Sequence, residues 1–355
     1  MEIALKPDCL TRSRVHILVF LLGIALIAVL PDKAFSQGPG NNFTPGFSGY
    51  VQPMIAVGYS KSISDVSDDT KKIDSLDQDA NSETDFSPIL LWKMVYTLDN
   101  GATQFYAGTP KENIVEGTFL LETGIRQKLS GGTILTVAWV PKLPILDNEA
   151  WKDPFLLGSD RQETDQDSQA FKVEAESIFG SPVNLRYGFG RQEIDDDQSG
   201  VYLFQQPGST LTTADLQLLK RDTDFHLVEA QYAFSFGQGM MIRPGISYVR
   251  GDAEGDANSF NRFQGKISFA YPWERWRFFG NFSLALAEYD EANPIFEKTR
   301  EDVIYGTTLG VGYAAPFGWK DFTASVFTSF KKNDTNIKFY DSTSMILAVG
   351  LAWLF

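Results

Sequence analysis

The chain has almost no cysteine and only one extended apolar run. Its 355 residues include a single cysteine, Cys9, and the apolar run covers residues 15–30. About 20 apolar residues are needed to cross the core of a bilayer, so a run that stops at Pro31 is too short for a spanning helix. The composition therefore excludes a helical membrane protein.

The first residues have the three parts of a secretory signal peptide. Basic residues precede the apolar run, and the small residues Ala34 and Ser36 follow it at the −3 and −1 positions of a cleavage site. We predict that residues 1–36 are removed on export and that residues 37–45 form a short periplasmic segment. Cys9 precedes the apolar run, so it is not the lipidated residue of a lipoprotein. The mature chain then has no cysteine, which excludes disulfides and thiolate metal sites and suits an oxidising compartment.

The mature chain is acidic and rich in aromatic residues. The removed segment carries four of the 31 basic residues and three of the 45 acidic ones, which leaves 27 basic and 42 acidic residues and a formal net charge of −15. An exported acidic chain is not a nucleic-acid binder. Aromatic residues make up 14% of the sequence and apolar residues 43%, too much for a disordered acidic polymer.

After residue 45, apolar and polar residues alternate with a period of two. In residues 342–355, bulky apolar side chains occupy the odd positions, and small or polar ones occupy most of the even positions. The same alternation recurs in segments such as 116–129, 258–271 and 320–331, where one face carries charges and the other aliphatic and aromatic residues. This pattern is typical of strands with one apolar and one polar face.

Short turns and longer loops alternate along the chain. The short turns lie near residues 99–101, 130–132, 180–182, 237–239, 271–274 and 316–318, and the longer, mostly acidic loops lie near 61–87, 109–115, 142–168, 193–222, 251–257, 289–300 and 332–341. Six turns and seven loops define fourteen strands with both termini on the short-turn side. We predict an all-β, antiparallel up-and-down transmembrane barrel over residues 46–355, because lipid offers no hydrogen-bond partner to a free sheet edge.

The alternative is a soluble β-sandwich or lipocalin-like barrel, which also alternates. The position of the aromatic residues favours the transmembrane barrel, because they cluster beside the short turns, as in a belt at one membrane interface. These residues are Tyr96, Trp139, Phe179, Phe234, Phe236, Trp273, Trp276, Tyr313, Trp319 and Trp353.

The C-terminus resembles the assembly signal of Gram-negative outer-membrane proteins. Gly350, Trp353 and Phe355 occupy the matching places, whereas Ala348 stands where a polar residue is usual. Residues 46–355 as a whole resemble an uncharacterised family of proteobacterial outer-membrane proteins classed as a domain of unknown function; the passages that carry the likeness are 149–155, 293–300 and 336–341. The resemblance implies an outer-membrane barrel and implies no functional residue.

The faces assigned to the lumen carry charges of both signs. A fourteen-stranded barrel is wide enough for water and small solutes, so we expect a channel or uptake pore for small polar or weakly ionic solutes. The alternatives are a lumen closed by charge pairing or by an inward-folded loop 193–222, in a non-conducting surface or receptor barrel that acts through its acidic loops. The candidate pore-lining residues are Lys93, Glu122, Arg126, Glu174, Glu176, Arg186, Glu229, Arg243, Lys266 and Arg277.

Two short segments contain parts of other functional patterns. His226 is the one histidine of the mature chain and lies near Asp222, Asp224 and Glu229, which permits a rim hydrolase with a His–carboxylate pair. Residues 252–258 have part of a calcium-loop pattern but lack the distal glutamate. We therefore expect no catalytic site, metal site or cofactor. The expected partners are outer-membrane lipid and lipopolysaccharide, the barrel-assembly machinery during insertion and small polar solutes, with no nucleic acid.

Overall fold

The structure is a computed structural model that describes residues 43–110, 121–141 and 148–355. The predicted signal peptide, most of the 37–45 segment, the loop residues 111–115 and 142–147 and most of the predicted strand start at 116–121 lie outside the described residues. Within the described ranges, no helix is long and apolar enough to cross a membrane.

Sixteen strand segments follow one another in the described residues. They are β1 (Gly46–Ser62), β2 (Ser82–Thr97), β3 (Thr103–Gly108), β4 (Glu122–Lys128), β5 (Ile134–Val140), β6 (Asn148–Trp151), β7 (Glu163–Glu176), β8 (Val183–Ile194), β9 (Thr223–Tyr232), β10 (Phe234–Ser235), β11 (Met241–Ala253), β12 (Phe260–Trp273), β13 (Trp276–Asn293), β14 (Lys298–Ala314), β15 (Phe322–Thr335) and β16 (Ser342–Leu354).

These segments form fourteen barrel strands. β5 and β6 pair with the same neighbour, β7, and β9 and β10 both pair with β11, so each of these two pairs is one interrupted strand. Every neighbouring pair is antiparallel, and β16 closes the barrel on β1 with a register from Tyr50 opposite Leu354 to Ser62 opposite Ser342. The predicted closed fourteen-stranded barrel is confirmed.

The alternation predicted from the sequence corresponds to the two faces of the barrel wall. Outward side chains are apolar and exposed, for example Ile246 at 70% and Phe263 at 63%, whereas the neighbouring inward Lys266 is 8% exposed. Exposed aromatic rings near the short turns form contact pairs, such as Phe47 with Tyr96 at 4.7 Å between ring centroids and Trp276 with Tyr313 at 4.7 Å. Trp139 is an exception among the predicted belt residues. It lies at the far end of β5 from the short turn and stacks on Phe171.

A closed barrel with an apolar outer face and an aromatic belt at its short-turn end is the architecture of outer-membrane proteins. The protein is a bacterial outer-membrane β-barrel. In such barrels the short turns face the periplasm and the long loops face outside, and we name the two ends of this barrel accordingly.

Six of the seven outer loops are shorter than predicted, because the strands beside them continue beyond the alternating segments. We name them L1 (63–81), L2 (the connection from β3 to β4), L3 (152–162), L4 (195–222), L5 (254–259), L6 (294–297) and L7 (336–341). The largest correction is at L6, where most of the predicted loop 289–300 belongs to the β13–β14 hairpin. L4 contains two short helices, α1 (Val201–Phe204) and α2 (Thr213–Leu218).

Candidate functional site

An ionic network follows the inner wall of one half of the barrel. Lys172 contacts Glu122 (Nζ–Oε1 2.8 Å), and Arg186 contacts both Glu174 (Nη2–Oε1 3.2 Å) and Glu229 (Nη1–Oε1 3.4 Å). At the end of the row, Lys266 lies 2.7 Å from Glu229. Charges of opposite sign therefore alternate from β4 to β12 and share partners, so each carboxylate in the row is neutralised at close range.

Small residues let these side chains reach one another over intervening strands. Gly245 lies on β11 between β9 and β12, and a Cβ atom there would approach Gln231 Cγ to 3.0 Å and Lys266 Cε to 3.4 Å. The absent side chain leaves room for Lys266 to cross to Glu229. The spacing of charges along the sequence does not reveal this crossing, because the two partners lie on strands that are not neighbours.

The network borders a luminal cavity of about 50 Å³. Seven predicted pore-lining residues line this cavity, and Glu229 and Lys266 join it through the network. Besides these, the lining includes Lys172, whose role in the network the short list of candidates missed. The seven are Lys93, Glu122, Arg126, Glu174, Glu176, Arg186 and Arg243.

Arg277 is the one predicted pore-lining residue that lies apart from the cavity. Its Nη1 atom donates to the backbone carbonyls of Glu274 (2.8 Å) and Trp276 (2.9 Å) at the periplasmic turn. It lies on a lumen-facing register position, but its guanidinium holds the turn between β12 and β13.

An apolar cluster fills part of the lumen beside the β1–β16 seam, which the sequence did not indicate. Tyr50, Met54, Leu91 and Phe327 are buried in one cluster, with Ala348 fully covered. These residues lie on β1, β2, β15 and β16, and their side chains face the lumen. The barrel interior therefore contains a packed apolar cluster beside the seam, and the cavity is bordered by the charged network.

The outer loops pack into a second apolar cluster. Its buried members are Ile63 and Ile73 of L1, Phe155 of L3, Leu219 of L4, and Ile337 and Phe339 of L7. Aromatic rings stack within it: Phe155 lies 5.3 Å from Phe339 and 6.0 Å from Phe296 of L6, centroid to centroid.

This loop cluster lies across the outer mouth. L4 joins β8 to β9, on the side of the barrel opposite the β1–β16 seam, whereas L1 and L7 leave strands at that seam. Loops from opposite sides can share a cluster only if they extend over the opening. The apolar segments of L4, which sequence patterning marked as able to fold inward, supply Leu203 and Leu219 to this cluster. We call the assembled loops L1, L3, L4, L6 and L7 the cap.

Arg161 of L3 is the central polar contact of the cap. It is 2% exposed, and its guanidinium donates to the backbone carbonyls of Ile63 (2.9 Å), Thr70 (2.9 Å) and Pro154 (3.0 Å). It also lies over the Trp151 ring at 4.5 Å. Burial lowers the pKa of Arg161 to about 10, so the group remains charged at neutral pH.

Two aspartates hold L4 against L3. Asp153 accepts backbone N–H groups from Gly200 (3.0 Å) and Tyr202 (2.8 Å), and burial raises its pKa. Asp197 binds Arg221 (Oδ1–Nη2 2.8 Å), and Arg221 in turn donates to the carbonyl of Trp151 (2.7 Å). The cap is thus cross-linked by buried polar contacts as well as by its apolar cluster.

The His–carboxylate pair proposed for a rim hydrolase is not formed. His226 faces outward, and its Nδ1 atom lies 2.8 Å from the Tyr187 hydroxyl. Asp224 binds Arg191 (2.7 Å), and Glu229 faces the lumen on the opposite side of the same strand. Asp222 accepts the N–H of Ile194 (2.8 Å). Each neighbouring carboxylate is committed to another partner.

The partial calcium pattern folds as a tight turn. Asp252 binds Arg250 (3.1 Å), and the Asn258 amide donates to the Leu219 carbonyl (2.9 Å), so this segment links L5 to L4. In the part of the chain that the structure describes, no group of three or more His, Cys, Asp or Glu side chains could hold a metal ion.

The predicted assembly-signal residues lie at the barrel seam. Gly350 faces Met54 so closely that a Cβ atom would come within 2.5 Å of Met54 Cγ and 2.6 Å of the Pro53 carbonyl oxygen. The Trp353 and Phe355 rings lie 5.2 Å apart, and Phe355 exchanges backbone hydrogen bonds with Gly49 (2.8 and 3.1 Å). Recognition of these residues during assembly stays a prediction.

Comparison with known proteins gives a family and several solved barrels. No curated protein matches the chain. Similar structures include the outer-membrane protein OmpT of Vibrio cholerae (10% identity, TM-score 0.44, covering 87% of this chain and 97% of that one) and the outer-membrane channel DcaP of Acinetobacter baumannii (13%, 0.40, 87% and 98%). A third is OpdQ of Pseudomonas aeruginosa (8%, 0.36, 87% and 98%). A family model matches residues 46–354, and the chain belongs to that family, described as a protein of unknown function (DUF2860).

Proposed function

We propose that this protein is a gated outer-membrane channel through which small polar or weakly ionic solutes cross. The observation that carries the proposal is the charged network around the luminal cavity. Buried ion pairs contribute no more to stability than apolar packing of the same volume. A lumen built only for stability would repeat the apolar cluster found beside the seam, whereas a charged wall suits a path for solvated molecules.

The cap supports gating. In this structure, the cap crosses the outer mouth, so passage requires the loops to move apart. The contacts that must break lie outside the barrel wall, in loops joined by hydrogen bonds and packing, and their loss leaves the strand pairing intact. The proposed activity is transport and includes no covalent step.

A non-conducting receptor or structural barrel is the second candidate. The observation that favours it is the extensive cross-linking of the cap by Arg161, Asp153 and Arg221. Such a rigid loop surface, with an exposed acidic segment in L1, could bind a partner without opening. The two candidates differ in whether loosening the cap produces a current.

The test is single-channel recording of the refolded mature protein and of an Arg161→Met variant in planar bilayers, after heat-modifiable gel mobility has verified each barrel. A gated channel predicts brief or rare steps for the wild type and a raised open probability for the variant. No steps from either verified barrel would contradict the channel and favour the receptor.

A further inference from the structure

The luminal cavity has more basic than acidic groups. Five of its lining residues are basic and three are acidic. Each acidic group is bound at close range: Glu122 to Lys172, Glu174 to Arg186, and Glu176 to Arg126 at 2.6 Å. The cavity wall therefore carries an excess of positive charge, although the mature chain as a whole is strongly acidic.

Arg243 supplies part of this excess. It lies near the periplasmic end of β11, opposite Ser268 of β12, and its guanidinium lines the cavity. Its Nε atom contacts the sulfur of Met241, and within the described ranges it forms no ion pair with a carboxylate. A guanidinium offers five N–H donors in a planar fork that matches a carboxylate or a phosphate.

Neutral amides border the same part of the cavity. Asn184 accepts the N–H of Ser177 through Oδ1 (2.9 Å), an arrangement that leaves its NH₂ group as the donor available to the lumen. Gln231 lines the cavity beside it and donates to Glu229 at 2.7 Å. Arg243 is thus accompanied by a hydrogen-bond donor rather than by a carboxylate, which favours an anion over a cation at this position.

We propose that the channel selects small anions of the carboxylate or phosphate class, and that Arg243 is the residue that contacts the passing anion. This inference rests on the proposed channel function and deepens it. The acidic loops do not reverse the preference, because charges in water are screened beyond about 8 Å at physiological ionic strength. Fixed charges on the cavity wall face a permeating ion at contact distance and outweigh the distant loop charges.

The experiment measures the reversal potential of the cap-loosened Arg161→Met channel in asymmetric KCl, followed by addition of inorganic phosphate. We expect a chloride-to-potassium permeability ratio above unity and a reduction of the chloride current by phosphate. In an Arg243→Glu background the ratio should fall at least about threefold, because the nearest fixed charge changes sign. Arg243→Gln, which removes the charge without adding an acid, should give an intermediate ratio and covers the case in which the glutamate variant does not fold.

Arg277→Glu is the matched control, because it makes the same charge change at a guanidinium that binds the periplasmic turn outside the cavity. It should leave the permeability ratio unchanged. A permeability ratio that favours potassium would overturn the anion inference and leave the channel intact. Equal changes of this ratio in the Arg243 and Arg277 variants would do the same. Silence from a verified, cap-loosened barrel would overturn the channel, and the anion inference with it.

Discussion

Lys266 and Glu229 form an ion pair, Nζ to Oε2 2.7 Å, across a strand that lies between their own. Both side chains are almost fully covered, and Gly245 on β11 leaves the space through which Lys266 reaches its partner. Glu229 also contacts Arg186, so two cations of the luminal wall share one carboxylate.

Replacing this carboxylate should destabilise the barrel. Glu229→Gln leaves Lys266 and Arg186 buried with reduced compensation, and removal of one partner of a buried pair costs about 3 kcal/mol. The measurement is the free energy of unfolding by urea in lipid vesicles. As a control, Asp334→Asn removes the acid of the half-exposed Lys332–Asp334 pair and should cost less than about 1 kcal/mol. Equal losses for the two variants would contradict the luminal network.

Gly350 should be required for seam closure because of its distance to β1. Gly350→Ala places a methyl group against Met54 and the Pro53 carbonyl, so β16 should pair less stably with β1. We expect slower assembly and a lower melting temperature by heat-modifiable gel mobility. Gly58→Ala on β1 introduces the same atom where nothing lies within 4 Å and should behave as the wild type. Full assembly of Gly350→Ala at wild-type rate would disprove the explanation.

Arg161 should hold the cap closed. Arg161→Met keeps a long side chain but loses its donors to three buried carbonyls, each of which costs about 1–3 kcal/mol when left unsatisfied. We expect L1, L3 and L4 to become sensitive to protease while the barrel strands stay protected. Lys71→Met removes an exposed cation of the same region, bound to Asp160 at 3.9 Å, and should have little effect. If the loops of Arg161→Met resist protease as well as those of the wild type, Arg161 does not hold the cap closed.

The cap should loosen in acid through Asp197. Burial by itself would raise the pKa of this carboxyl, but the charge of Arg221 and hydrogen bonds from Arg221 and Ser199 hold the pKa below its usual value. A lowered folded-state pKa means that the carboxylate stabilises the cap above about pH 4 and that this contribution is lost as the pH falls through the lowered value.

Asp153 acts in the opposite direction, because its pKa is raised by burial and protonation relieves a buried charge. Hydrogen exchange of L3 and L4 amides, corrected for intrinsic pH dependence, should therefore show the best protection in weak acid and a loss below about pH 4. In Asp197→Asn, the L3 and L4 amides should be less protected from exchange at neutral pH. Their protection should not fall further below about pH 4. If the variant loses amide protection below about pH 4 as the wild type does, a group other than Asp197 causes the loss.

The strands and the inward residues followed from the sequence because a period of two is a local signal. Glu122, Arg126 and Lys266 lie on the predicted face, and the count of fourteen strands depended only on turns and alternation. The apolar cluster in the lumen escaped prediction because Phe327 shares a face with Ser325 and Ser329, and these polar neighbours defined that face. The cap escaped because its contacts join distant segments: Arg161 and Ile63 are 98 residues apart along the chain, and no local pattern connects them.

The most direct measurement is the single-channel current of the refolded mature protein, compared with that of Arg161→Met in the same bilayers. A gated channel should give discrete current steps. Its open probability should be low in the wild type and should rise in Arg161→Met, in which the cap loses its central polar contact. Verified barrels of both proteins that never conduct would contradict the channel, and the charged lumen would then be a closed structural core beneath a rigid outer surface.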